Sequence, residues 1–151
     1  MTDPDMKPMA LAMAAAERAG QVGEVPVGAV LVDATGAVLA QTANRVEALA
    51  DPTAHAELLA LREGARLRGR PILDDCDLYV TLEPCAMCAG AIALARIRRL
   101  YFAASDSKGG AVEHGPRFFQ QPTCHHRPEV YGGLDATRAG ELLRRFFGHR
   151  R

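Results

Sequence analysis

The sequence lacks an excess of either charge, and it lacks a long uninterrupted apolar run. Lysine plus arginine and aspartate plus glutamate number 18 each, so composition gives no overall attraction to nucleic acid or to a membrane. No stretch approaches the roughly 18 apolar residues that a membrane span needs. The first eight residues show no basic segment followed by an apolar one, as a secretory signal would. We therefore expect a cytoplasmic protein with no membrane association.

Cysteine is also scarce, with four residues at Cys76, Cys85, Cys88 and Cys124. Without an export signal, a Cys-x-x-Cys pair favours metal binding or redox chemistry over disulfide formation. The chain has 151 residues and is 48% hydrophobic, which is enough for one packed core. It contains no internal repeat and no linker-like segment. We expect one domain spanning residues 1–151.

Helical and strand patterns alternate along the chain. Apolar residues at helical spacing predict a first helix over residues 9 to about 18, and the turn at residues 33–36 predicts a strand hairpin from residue 25 onward. The later predicted elements are a helix capped by Thr53 that runs to about residue 67, a strand at 78–82, a helix from 85 to about 95, strands at 99–103 and 129–131, and a last helix from Asp135 to about 147. The order favours a layered α/β fold with a mixed sheet. It does not determine the strand order.

Residues 111–128 are predicted to form a long irregular loop. The segment contains three prolines and three histidines, and loops of this length in compact domains usually serve a function. Phe118 and Phe119 lie in this segment, and we expect them to anchor it in the core.

Three side chains have the composition of a zinc site. Cys85 and Cys88 lie three residues apart at a predicted helix start, so both thiols face the same side. Alone, the pair is also compatible with a redox pair or with two small buried residues, and His55 alone is compatible with a core histidine. Together they provide three ligands at about 2.0–2.3 Å and leave the fourth tetrahedral position of zinc for water.

Glu57 follows His55 by two residues. A single helical glutamate is usually solvent-exposed. Beside an open zinc site, however, a carboxylate can take a proton from the zinc-activated water and return it to a leaving nitrogen. His-x-Glu followed by Pro-Cys-x-x-Cys is the signature of zinc deaminases, and here it comprises His55, Glu57, Pro84, Cys85 and Cys88. The signature makes Glu57 the candidate catalytic residue.

Longer strings resemble the bacterial tRNA adenosine deaminases. They lie, in order, at residues 24–30, 51–57, 78–92, 106–110, 126–127 and 142–147. The resemblance implies a cytidine-deaminase-like three-layer α/β/α sandwich with a central mixed five-stranded sheet. It also implies a Zn²⁺ cofactor, a homodimer and a tRNA anticodon stem-loop as partner. The implied reaction is hydrolytic deamination of the wobble adenosine of an arginine tRNA to inosine, with Glu57 as proton shuttle.

The resemblance further implies a set of substrate-binding residues. These are Asn44, Ala56, Pro84, Asp106, Lys108, Arg127, Phe146 and Phe147. Without the family, Asn44 is equally compatible with a turn residue at a strand end, and Lys108 with an exposed turn charge. The chain departs from the family at residues 113–125, which differ from the enterobacterial pattern, and at Ser105, where some members have arginine.

Two other functions are compatible with the zinc motif. One is a zinc-dependent deaminase of a free base or nucleoside, guanine or cytosine, that does not use tRNA. The other is a structural zinc module that binds RNA or protein without catalysis. The basic last helix and the loop at residues 106–110 favour the tRNA enzyme.

Overall fold

The computed structural model describes residues 6–148. Its helices are α1 (Met6–Gln21), α2 (Val46–Leu49), α3 (Ala56–Arg68), α4 (Ala86–Ala95) and α5 (Ala136–Gly148), with a 3₁₀ helix at Phe118–Gln120. Its strands are β1 (Gly28–Val32), β2 (Val38–Ala43), β3 (Asp77–Leu82), β4 (Arg99–Ala104) and β5 (Glu129–Gly132). No helix of this part of the chain is long and apolar enough to cross a membrane.

The five strands form one mixed sheet in the order β2-β1-β3-β4-β5. β1 is antiparallel to both β2 and β3, whereas β3, β4 and β5 are parallel. Strand β1 is buried at all five positions, as expected for a strand covered by helices on both faces. The predicted α/β fold with a mixed five-stranded sheet is confirmed.

Two apolar cores lie on opposite faces of the sheet and make the fold a three-layer sandwich. One core joins α3 and α4 to the sheet through side chains such as Leu61, Leu78 and Ile92. The other joins α1 and α5 to the opposite face through Met13, Tyr79 and Ala139. Leu78 and Tyr79 are neighbours in β3 but belong to different cores, because successive side chains of a strand point to opposite faces.

The close approach of α1 to the sheet requires a glycine at the start of β1. A Cβ atom at Gly28 would lie 1.9 Å from the carbonyl oxygen of Ala12. The Gly28 N–H donates to Thr81 Oγ1 of β3 at 3.1 Å. β1 thus begins at Gly28 and not at residue 25, and the segment containing Pro26 enters the sheet without being part of it.

Three details correct the sequence-based prediction. The short helix α2 was not predicted. Thr53 does not cap α3: its N–H and hydroxyl both bond Asp51 Oδ1, and the N-cap residue is His55. The long loop contains a 3₁₀ helix, and Phe119 within it is buried while Phe118 packs against the same core, as expected for anchoring residues.

Candidate active site

Two helix N-termini bring the predicted metal ligands together. His55 is the N-cap residue of α3, and Cys85 is the N-cap residue of α4, with Cys88 in the first turn of α4. Both helices pack on the same face of the sheet. The positive ends of the helix dipoles therefore point at one spot, where they favour anionic thiolate groups.

The distances among these three side chains fit one zinc ion. His55 Nδ1 lies 3.5 Å from Cys88 Sγ and 3.6 Å from Cys85 Sγ. Bond lengths of about 2.3 Å to sulfur and about 2.0 Å to nitrogen, at the tetrahedral angle, put nitrogen and sulfur about 3.5 Å apart. Among residues 6–148, His55, Cys85 and Cys88 are the one group of histidine, cysteine and acidic side chains with ligand atoms close enough to hold a metal.

The two thiols differ in acidity. A hydrogen bond from Cys88, opposed by burial, lowers the pKa of Cys85 to about 5. The same contact raises the pKa of Cys88, so without a metal the thiolate belongs to Cys85 and the proton to Cys88. A metal that binds both sulfurs replaces this proton. Metal binding to both sulfurs therefore requires the Cys88 proton to be released to solvent.

Glu57 lies beside the three ligands in the first turn of α3. Its side chain is buried, and burial is the main cause that raises its pKa to about 7. A carboxyl group with a pKa near neutrality can both accept and release a proton at working pH, as a general acid–base catalyst must. The geometry therefore suits Glu57 to proton transfer.

A cavity of about 440 Å³ opens over these residues, and His55, Glu57 and Cys85 form part of its wall. The predicted substrate-binding residues Asn44, Asp106 and Phe146 also line it. Nδ2 of Asn44 is left as the donor that a ligand can use, because Asn44 Oδ1 accepts the Ala56 N–H at 2.8 Å. This bond also satisfies the first N–H of α3.

The other predicted substrate residues have different positions. Ala56 and Pro84 are buried, and the Pro84 carbonyl accepts the Ala111 N–H at 2.9 Å. Lys108, Arg127 and Phe147 are exposed and are not among the residues that line the cavity. Phe147 packs edge-on against Phe146, with 5.3 Å between the ring centres. Roles for all five residues stay predictions.

Two buried glutamates in the cavity wall were not singled out from the sequence. Glu24 accepts the N–H groups of Glu47 and Ala48 at the start of α2. Glu83 accepts N–H groups from the loop after β4. The sequence gives only a weak indication that these glutamates are buried, since each is a single acidic residue close to apolar residues and a proline. Their partners lie more than 20 residues away in the chain, so the sequence pattern does not reveal them.

A mixed sheet of this topology, with a histidine and two cysteines beside a buried glutamate, defines a deaminase of the cytidine-deaminase type. Comparison with known families agrees. Residues 2–104 match the family of the cytidine and deoxycytidylate deaminase zinc-binding region.

Individual relatives narrow the class. A tRNA-specific adenosine deaminase of Agrobacterium fabrum is 55% identical over 95% of this chain and 93% of its own length. A solved structure from a study of A-to-I editing by tRNA:A34 deaminases is 55% identical, covers 91% of this chain and 99% of its own, and has a TM-score of 0.89. A guanine deaminase of Bacillus subtilis is 34% identical over 83% of this chain and 82% of its own, with a TM-score of 0.65. The chain belongs to the tRNA-specific adenosine deaminase family, within the zinc-binding deaminases.

Proposed function

We propose that this enzyme deaminates the wobble adenosine in the anticodon of an arginine tRNA to inosine. The observation that carries the proposal is the 55% identity to a tRNA-specific adenosine deaminase along nearly the whole of both chains. The cavity supports it, because a volume of about 440 Å³ can enclose one nucleobase that leaves the anticodon stack. The proposed substrate places the enzyme in the cytoplasm.

The residues that would hold zinc are His55, Cys85 and Cys88, whose spacing fits tetrahedral coordination. When bound, zinc lowers the pKa of a water molecule and so supplies a nucleophile at neutral pH. The start of each helix contributes at least one ligand, so the ion would also tie α3 to α4.

Glu57 is the proposed proton shuttle. Its carboxylate takes a proton from the attacking water as oxygen bonds to C6 of adenine. The same carboxyl group delivers this proton to N1. It then takes the second proton from the new C6 hydroxyl and passes it to the departing amine as the C6–N bond breaks and C6=O forms, so that water and adenosine become inosine and ammonia. Its buried position keeps bulk water away during these transfers.

The remaining proposed residues bind and orient the RNA. Asn44 offers Nδ2 to the base or ribose, because its oxygen is held by the Ala56 N–H. Asp106 and Phe146 line the cavity, and buried Pro84 contributes by holding the Ala111 N–H next to Cys85. The exposed side chains of Lys108, Arg127 and Phe147 would contact the anticodon loop outside the cavity, through phosphate and stacking interactions.

We further propose that residues 1–151 act as one domain and that the enzyme is a homodimer. Large apolar side chains on α3 and α4 support an assembly, since Leu67 and Met87 are exposed and Leu94 is 80% exposed. Met87 and Leu94 are seven residues apart and so lie on the same side of α4. Light scattering after gel filtration tests the dimer, and a monomer at micromolar concentration would contradict it.

The decisive experiment compares substrates. Purified enzyme is incubated with arginine tRNA, with the same tRNA carrying guanosine at the wobble position, and with free guanine, cytosine and adenosine. Inosine at the wobble position is read by sequencing, and ammonia release is measured for the free bases. We expect editing of the arginine tRNA with its wobble adenosine, and no turnover of the other substrates. Turnover of guanine without tRNA editing would favour the free-base deaminase instead, the class to which the Bacillus subtilis relative belongs.

A further inference from the structure

Glu83 is a buried charge outside the set of proposed catalytic residues. It follows β3 and stands two residues before Cys85. Its side chain has 0% exposed surface. A carboxylate removed from water costs several kcal/mol unless hydrogen bonds replace the lost hydration. Its surroundings must therefore supply donors.

The donors come from one segment, residues 106–114, which we call the 106–114 loop. Oε1 accepts the Asp106 N–H at 3.0 Å and contacts His114 Nδ1 at 2.8 Å, where the ring nitrogen donates because a carboxylate only accepts. Oε2 accepts the consecutive N–H groups of Val112, Glu113 and His114 at 2.9–3.1 Å. Successive N–H groups around one oxygen form an anion-binding nest. The loop is thus wrapped around the Glu83 carboxylate.

Gly110 lets the loop approach the carboxylate this closely. A Cβ atom at Gly110 would lie 2.5 Å from both Cδ and Oε2 of Glu83, and 2.4 Å from the Asp106 carbonyl oxygen. The backbone adds two further ties: Gly110 N–H donates to the Asp106 carbonyl, and Ala111 N–H donates to the Pro84 carbonyl. The loop therefore has little room to shift relative to the strand end that precedes Cys85.

The opposite side of the loop faces the cavity. Asp106 and Gly109 line it, and Asp106 Oδ1 accepts the N–H groups of Lys108 and Gly109, which gives the loop tip its shape. Glu83 thus connects two parts of the site. It fixes the first residue of the loop, and the chain continues from it directly into the ligand helix α4.

We propose that Glu83 is a positioning residue that sets the substrate wall of the cavity by holding the 106–114 loop at a fixed distance from the metal ligands. The proposal rests on the proposed function, in which this loop contacts the RNA. Because Glu83 acts through the loop, its loss affects the binding of the RNA more than the chemical step.

The sharpest variant is Glu83→Gln. The introduced amide has one oxygen and one nitrogen. The oxygen is best placed at the Oε2 position, where three N–H groups converge, so the nitrogen faces the Asp106 N–H, donor against donor. The Asp106 N–H and the His114 ring then lose their acceptor, while the N–H groups of Val112, Glu113 and His114 keep theirs. The matched control is Glu113→Gln, the same change at an exposed side chain of the same loop.

Two measurements test the proposal. With an arginine anticodon stem-loop RNA, Glu83→Gln raises KM about tenfold, the size of one lost hydrogen bond to a charged group, and changes kcat by less than about threefold. Hydrogen exchange followed by mass spectrometry shows faster exchange at residues 105–110 and unchanged exchange in α3 and α4. Zinc content stays equal to that of the wild type, and Glu113→Gln matches the wild type in both measurements.

A double-mutant cycle separates positioning from general weakening. Asp106→Ala keeps the N–H that Glu83 holds and removes the side chain that this bond positions at the cavity, so in that background Glu83→Gln should raise KM less than it does alone. Additive effects, a loss of kcat at unchanged KM, or loss of zinc would each overturn the proposal. If Glu83→Gln does not fold, His114→Ala removes one donor and leaves the backbone ties. Faster exchange of the loop is then expected, and unchanged exchange overturns the proposal.

The exchange measurement needs no substrate. A wild-type enzyme that edits no RNA would refute the proposed function. Hydrogen exchange of the 106–114 loop that is insensitive to Glu83→Gln would refute only the positioning role of Glu83.

Discussion

Glu57 combines a buried carboxyl group with a position beside three metal ligands. Substitution by glutamine keeps its size and removes its ability to carry a proton. Because general acid–base catalysis contributes about 10²–10⁴-fold to a rate, we expect Glu57→Gln to lower kcat by about 10²–10⁴-fold. Zinc content and the urea midpoint should stay close to those of the wild type. Single-turnover editing assays measure the rate, elemental analysis measures the zinc content, and urea denaturation gives the midpoint.

The control for this variant is Glu63→Gln, on the same helix. Glu63 is partly exposed and pairs with Arg66, and surface ion pairs contribute little to stability. Its activity should equal that of the wild type. In the wild type the rate should fall as pH drops through the Glu57 pKa, which bound zinc would hold below the value of about 7 that burial gives it. Editing by Glu57→Gln at more than a tenth of the wild-type rate would remove Glu57 from the mechanism.

Asn44 has two separable roles, one for each atom of its amide. Its oxygen accepts the Ala56 N–H at the start of α3, and its nitrogen is the proposed donor to the substrate. Asn44→Asp keeps an acceptor for the helix and loses the donor, whereas Asn44→Ala loses both. We expect Asn44→Ala to cost about 0.5–2 kcal/mol of unfolding free energy and Asn44→Asp to cost less. Both should raise KM strongly.

Urea denaturation and steady-state editing assays check this separation. Equal destabilisation by the two substitutions would show that the Ala56 bond does not stabilise α3. A wild-type KM in the Asn44→Asp variant would show instead that the substrate does not use Nδ2.

At the scale of elements, the strands and long helices were predictable because their apolar periodicity is local. The grouping of His55, Cys85 and Cys88 was predictable because the motif keeps a fixed spacing at helix starts. The strand order, α2 and the cap of α3 were not predictable. Each depends on partners far apart in sequence, such as Glu24 with Ala48. The prediction that Thr53 caps α3 was wrong for the same reason: Thr53 has the side-chain chemistry of a helix cap, but its hydroxyl bonds Asp51.

The packing of α1 on β1 gives a prediction at this scale. Gly28→Ala places a methyl group against the backbone of α1, 1.9 Å from the Ala12 oxygen, so the helix itself must move. We expect a loss of about 3 kcal/mol or failure to fold, at the upper end of overpacking costs. Gly64→Ala is the comparison, because its methyl group would meet the flexible end of Leu31 and its helix propensity improves by up to about 1 kcal/mol.

Urea denaturation of the two variants compares the stability cost of crowding a backbone, in Gly28→Ala, with that of crowding a side chain, in Gly64→Ala. Gly64→Ala should be the more stable of the two by at least about 1 kcal/mol. The reverse order would mean that α1 can shift on the sheet more easily than Leu31 can repack.

For the whole molecule, the proposed zinc site would join α3 to α4 in addition to the apolar cores that already hold the fold together. The sheet is covered by apolar side chains on both faces, and neither core contains His55 or Cys85. Within residues 6–148, every buried side-chain nitrogen and oxygen atom has a hydrogen-bond partner without a metal. The fold therefore does not depend on zinc in the way that a small zinc finger does.

This difference predicts how the protein responds to metal removal. Dialysis against a chelator should leave a folded protein with native far-ultraviolet circular dichroism, because both cores remain. A ligand present at 100 times its Kd stabilises the native state by about 2.7 kcal/mol, which corresponds to a melting temperature about 5–10 °C higher in a domain of this size. We expect the loss of that increment on chelation and its return with zinc.

The variant Cys85→Ala should melt like the metal-free wild type and gain nothing from zinc, whereas Cys124→Ala, outside the ligand group, should respond like the wild type. Complete unfolding on chelation would instead mean that the ties between α3 and α4 depend on the ion and not on the apolar core.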